Sequence, residues 1–196
     1  MDRKAWDQIV SGAGAVIAAI LIVVGGLAVY GGQFGQDNVQ DRLAPQHITL
    51  PPADVLTPAE AAAVGDYAGQ AVDTGQEALA FSNYIGVHLT EVNEGATYAE
   101  TSAAARAEGV DPEVAAELQG KADTLFKGEA LRSILLNAYG WWTVATIAVY
   151  AGFAMVIAGL ALAAFAVFGF RHARRNAAIQ VAAAPVPVRE LVRETV

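Results

Sequence analysis

Side chains able to do chemistry are few in this chain, and their spacing does not suit catalysis. The three histidines, His47, His88 and His172, lie far apart. None stands four residues from another with a glutamate between, which is the helical zinc-hydrolase pattern. His88 and Glu91 form an i, i+3 pair, but in the reverse order to the Glu-x-x-His pairs of di-metal bundles and without a second copy. A surface or seam histidine is the simpler expectation. Asp66, Asp73, Glu77, Glu91 and Glu94 offer oxygen ligands, and Asp73 and Glu77 would share one helical face. No glycine-centred loop of alternating acids accompanies them, so a solvated acidic face is expected rather than a metal site. The absence of cysteine excludes a thiolate nucleophile and a disulfide framework. Serine occurs without a G-x-S-x-G elbow or a Ser-x-x-Lys pair. Gly12-x-Gly14 lies inside an apolar run, with no strand before it and no base after it, so it is no phosphate loop. The expectation is a non-enzymatic protein with no catalytic residue, no metal and no cofactor.

What dominates instead is hydrocarbon. Of 196 residues, 55% are hydrophobic and 16% charged, and the mean hydropathy is +0.37. That combination belongs to membrane proteins. Residues 141–170 carry no charge and are followed at once by Arg171, Arg174 and Arg175. As a helix this stretch would reach about 45 Å, more than the ~30 Å hydrocarbon core requires. Residues 9–30 are a second uncharged run, about 33 Å as a helix. A cleaved signal sequence is the competing reading of this first run, but its apolar region is longer than the usual 7–15 residues and no clean A-x-A cut site precedes a cut. Trp6, Tyr139, Trp141 and Trp142 read as interfacial anchors, with Arg171, Arg174 and Arg175 as the basic anchor.

The formal net charge of -8 is unevenly distributed. Residues 31–140 hold sixteen Asp/Glu against five Lys/Arg, whereas the Arg3–Lys4 pair and the cluster from Arg171 flank the apolar runs. Basic residues concentrate on the cytoplasmic side, so both termini are expected inside the cell and residues 31–140 outside. An acidic middle excludes a nucleic-acid partner, which requires a basic face.

These features predict an all-α membrane protein, with two transmembrane helices and an extracytoplasmic helical hairpin or small bundle between them. The expected order is a cytoplasmic head (1–8), a first span (9–30) and a glycine- and proline-punctuated linker (31–56). A helical domain (57–137), a second span with its interfacial entry (138–170), and a basic stub with a flexible tail (171–196) follow. Thr57-Pro58-Ala59-Glu60 is a capping box. From it Val64, Ala68, Ala71, Gly75, Ala78, Ser82, Ile85, Leu89 and Val92 recur in alternating steps of four and three, the coiled-coil seam of one long helix. Asn93-Glu94-Gly95 predicts a turn, Thr97-x-x-Glu100 a second capping box, and Asp111-Pro112 a third helix start. That third helix is expected to reach about Phe126; no proline lies between residues 128 and 170, so the segment from Gly128 should run directly into the second span as one helix.

Small residues are expected to mediate helix packing in lipid: Gly14, Ala18, Gly25 and Gly26 on the first span, and Ala145, Ala148, Gly152, Gly159, Ala163 and Ala166 on the second. They suit pairing of the two spans, and also association with another membrane protein or with a second copy. The string Asn137-Ala138-Tyr139-Gly140-Trp141-Trp142, entered through Leu135 and Leu136, resembles the entry to the second span of a set of two-span proteins from high-GC actinobacteria. The resemblance implies membrane location and architecture over the second half of the chain, and no activity. The function expected is that of an accessory, scaffold or partner-docking protein. The alternatives are a small homo-oligomeric channel, whose pore would be hydrophobic, and an envelope ligand sensor.

Overall fold

The computed structural model describes the backbone of residues 3–182 and the side chains of residues 5–175. The expected tail from residue 183, with its Arg-Glu-Leu-Val-Arg segment, lies outside the described residues. The described chain is helical: α1 (Arg3–Leu43), α2 (Pro58–Val64), α3 (Gly75–Val92), α4 (Tyr98–Ala105) and α5 (Pro112–Ala182), with single 3-10 turns at Ala44–Gln46, Ala53–Val55 and Gly65–Tyr67. Among the described residues the only β pairing is an isolated bridge between Thr49 and Ala71. The chain divides into two compact units, one of Met1–Val29 with Tyr150–Val196, the other of Tyr30–Val149.

In the first unit α1 and α5 lie antiparallel, and small residues occupy the buried centre of their contact. Buried positions fall every seven residues: Ser11, Ala18 and Gly25 on α1, and Gly152, Gly159, Ala166 and Ala173 on α5. A seven-residue repeat is slightly short of two α-helical turns, so it keeps one stripe on the partner only if the helices coil left-handedly. Glycine is required where the stripe is tightest. A Cβ on Gly25 would lie 2.7 Å from the Gly152 carbonyl oxygen, and one on Gly152 would lie 2.6 Å from that of Gly25. A Cβ on Gly159 would lie 3.0 Å from the Ala18 oxygen. Of the residues expected to mediate packing, Gly14, Ala18, Gly25, Gly152 and Gly159 lie on this contact. Ala163 is half-buried beside it.

The opposite faces carry Val16, Ile17, Ile20, Val23 and Leu27 on α1, and Phe153, Ile157, Leu160, Phe165 and Phe168 on α5, all exposed. The best 18-residue windows have mean hydropathies of 2.5 and 2.4, yet only 11% of each is buried. The core helix of a water-soluble protein would bury such residues, and exposed apolar patches this large mark contact with a membrane or with another protein. Both helices are long and apolar enough to cross a membrane.

The second unit is built from residues 30–43 of α1, from α2, α3 and α4, and from the first part of α5. The expected linker is corrected here: residues 31–43 are helical. Glycines that read as breakers instead continue the close contact, since a Cβ on Gly32 would fall 2.6 Å from the Ala145 oxygen. Val39 and Leu43 then enter the core, and Pro45 follows at the end of the helix. The expected single helix over residues 57–92 is also corrected. It ends at Gly65, which holds a positive φ of 61°, and Gly69 turns the chain again at 74°. A capping box at Thr74 and Glu77 then starts α3 afresh.

The intervening segment is stitched to the chain before α2. The Leu50 amide donates to Gln70 (2.9 Å), the Val72 amide to Ile48 (2.9 Å) and the Gly69 amide to Pro51 (3.0 Å). Leu50, Val64, Val72, Ala78 and Leu135 form the core, with Trp142, Tyr67 and Phe81 packed against it.

The seam residues are therefore divided between elements. Val64 closes α2; Ala78, Ile85, Leu89 and Val92 lie on α3; Ala68 is half-buried in the connection, and Ala71 is exposed in the bridge. α3 runs antiparallel to α5, and its contacts repeatedly use glycine. Gly75 lies against the Trp142 ring, Gly86 against the Arg132 guanidinium and Gly128 against Leu89. The Arg132 Nε also donates to the Ser82 carbonyl at 3.1 Å. The segment from Gly128 runs directly into the second apolar run, as its lack of proline predicted, and α5 also continues unbroken through Phe126 from Pro112, where a separate helix was expected.

Neighbouring glycines provide an internal control for the backbone contact. Gly25→Leu or Gly152→Leu should lower the stability of the purified protein in mild detergent by about 1–3 kcal/mol, read by thermal unfolding. Gly26→Leu should be neutral, because nothing lies within 4 Å of a Cβ added there.

Candidate functional site

A polar cluster that joins α2 to α3 centres on His88. Its Nε2 lies 3.4 Å from Glu60 Oε1 on α2, its Nδ1 lies 3.3 Å from the Tyr84 carbonyl oxygen, and its ring is 4.6 Å from that of Tyr84. The sequence pairs His88 with Glu91; the structure pairs it with Glu60, which is remote in sequence. Glu60 is already engaged, because it accepts the Thr57 amide at 2.7 Å in the capping box. Donation from that amide, and then from the Thr57 hydroxyl, holds the Glu60 carboxyl below the usual range; partial burial opposes this and the nearby His88 adds to it. The cluster ties α2 to α3.

Two other glutamates are similarly occupied. Asp73 precedes α3 rather than sharing a face with Glu77, and Glu77 is buried, accepting the Thr74 amide (2.9 Å) and the Thr74 hydroxyl. Glu100 accepts the Thr97 amide and hydroxyl, both at 2.8 Å, and these lower its pKa. Among the described residues no three histidine, aspartate or glutamate side chains gather as a metal site would require.

Two surfaces in the second unit stand apart from this self-contained chemistry. The first is an open groove of about 860 Å³ between residues 31–43 of α1 and residues 131–148 of α5. Its walls are apolar: Phe34, Ile134, Trp141 and Val144 are 58–65% exposed. Asn38, Arg42, Gln46 and Asn137 are its polar groups. The sequence did not reveal this groove, because it exists only where two segments about a hundred residues apart face each other. The second surface is an aromatic pair: the rings of Tyr98 on α4 and Phe126 on α5 lie 5.7 Å apart, and both are exposed.

The expected interfacial anchors separate into two kinds. Trp6 and Trp141 point outward, as do Arg171, Arg174 and Arg175. Trp142 instead packs on Gly75 against the core, and Tyr139 is half-buried. Ala148, expected to pack against the other span, lines the groove. No family model, curated protein or solved structure matches the chain.

The capping carboxylates give the second unit a pH dependence of known sign. Both have folded-state pKa values below the ordinary one, so their contribution is full above the ordinary glutamate pKa and is lost as pH falls through the lowered values. Thermal melts of Glu60→Gln/Glu100→Gln should fall below those of the parent at neutral pH, and the two should converge on acidification.

Proposed function

We propose that the protein is a non-enzymatic two-span component of the plasma membrane, with both termini cytoplasmic and its second unit a docking module on the outer face. The charge distribution supports the orientation, since basic residues follow the second apolar run and acidic residues dominate 31–140. The exposed Tyr98–Phe126 pair carries the docking role. Large exposed aromatics are uncommon without a purpose, and they provide most of the energy where protein surfaces meet. Glu94, Glu100, Glu113, Glu129 and Asp123 are exposed on the same elements or beside them. The partner surface is accordingly a protein with an apolar pocket rimmed by basic residues.

Many of the small residues that suited an intramembrane partner are engaged between α1 and α5, which supports recognition by the second unit instead. A scaffold of this kind needs no cluster of catalytic groups, and Glu60, Glu77 and Glu100 serve as helix caps.

The test is cross-linking in native membranes, with photoreactive residues at positions 98 and 126. A discrete stoichiometric protein adduct is expected. Tyr98→Ala/Phe126→Ala should weaken recovery of that partner by roughly thirtyfold, the loss of one about 2 kcal/mol hot spot. Equal recovery by the double variant, or no adduct at either position, contradicts the docking role.

A further inference from the structure

The groove between α1 and α5 calls for an occupant, and its chemistry is graded along its length. At one end it is walled by Gly31, Gly32, Val144 and Ala148, which adjoin the apolar runs in sequence; Phe34, Trp141 and Ile134 continue the apolar wall. At the other end stand Arg42 and Gln46, with Asn38 and Asn137 between. Arg42 is the one charged side chain lining the groove, although acids outnumber bases sixteen to five over residues 31–140. It is exposed, makes no ion pair among the described residues and occupies the last turn of α1. An uncompensated cation above an apolar trough suits an anion attached to a hydrocarbon chain.

Length points the same way. Residues 133–170 carry no charge and extend about 57 Å as a helix, against about 40–45 Å for a whole bilayer with its headgroup regions. The uncharged run that supplies one wall of the groove is therefore longer than a bilayer is thick. The groove's volume lies within the ~300–1,000 Å³ typical of small-molecule sites.

We propose that this groove seats an anionic phospholipid of the outer leaflet, with an acyl chain along Phe34, Ile134, Trp141 and Val144 and the phosphate at Arg42. Asn38 and Asn137 donate hydrogen bonds to the ester region, and the lipid covers apolar surface that would otherwise meet water. This inference rests on the two-span reading, and the test keeps the two separable.

The full-length protein is reconstituted in nanodiscs of phosphatidylcholine, alone or mixed with phosphatidylglycerol, one of the lipids carrying a photoactivatable acyl chain. Labelled residues are mapped by mass spectrometry. Phosphatidylglycerol should label Phe34, Ile134 and Trp141 in preference to phosphatidylcholine. Arg42→Gln should reduce that preference by about fivefold, the effect of one basic residue near a charged lipid surface, while leaving labelling of Phe153 and Ile157 unchanged. Asn38→Trp, which fills the groove from an exposed position, should abolish groove labelling, and Arg106→Gln just after α4 should change nothing. Labelling of Phe153 and Ile157 with none in the groove overturns the lipid site and leaves the two-span reading intact. Equal labelling by the two lipids overturns the headgroup assignment. A protein cross-link filling the groove in native membranes, with lipid excluded, overturns the occupant. Absence of label at every position overturns the two-span reading and the site together.

Discussion

The structure depends on how closely two helix backbones approach at Gly25 and Gly152. In hydrocarbon no hydrophobic force draws helices together, because lipid tails solvate leucine as well as another leucine does. Association must come from dispersion over short distances, and only small side chains allow it. The chain meets this requirement with serine, alanine or glycine at each buried position of the seven-residue stripe in the first unit. Bulky residues are then free to cover the outer faces, where they are exposed and where a bilayer would receive them.

The second unit uses the same device for a different end. Gly75, Gly86 and Gly128 let α3 lie against α5, but here the neighbours are Trp142, Arg132 and Leu89, large side chains that need glycine opposite them. The unit spends its polar chemistry on its own construction. Thr57, Thr74 and Thr97 each start a helix with a reciprocal glutamate, Asn93 donates to Thr101 at 2.7 Å, and Gln36 donates to Thr146 at 2.9 Å to tie α1 to α5. Ser82 and Ser102 are buried hydroxyls without a partner, a modest cost accepted for tight packing.

Where elements were legible in the sequence, the signal was chemical and local. Thr57 with Glu60, Thr97 with Glu100, and Asp111 before Pro112 all start helices as their residue types require, and α5 is continuous because nothing in it interrupts a helix. The misread elements turn on glycine and alanine, whose roles depend on what faces them. Gly32 and Gly35 look like a flexible linker until Ala145 is placed opposite. Across Ala68, Ala71 and Gly75 the alternation of small residues imitated a helical seam, although Thr74-x-x-Glu77 carried an explicit signal for a new start. Small residues fit either period and so decide neither. The groove and the His88–Glu60 contact were not legible at all, because each joins residues that only the tertiary arrangement brings together.

The central claim is that α1 and α5 cross one bilayer as a pair, with the second unit outside and both chain ends inside. The chain has no cysteine, so single cysteines can report sidedness without background. Membrane-impermeant maleimide applied to intact cells should label a cysteine at exposed Asn83 at once, and one at Arg174 only after the membrane is opened. Labelling of position 174 in intact cells with protection of position 83, or equal labelling of both, would contradict the account.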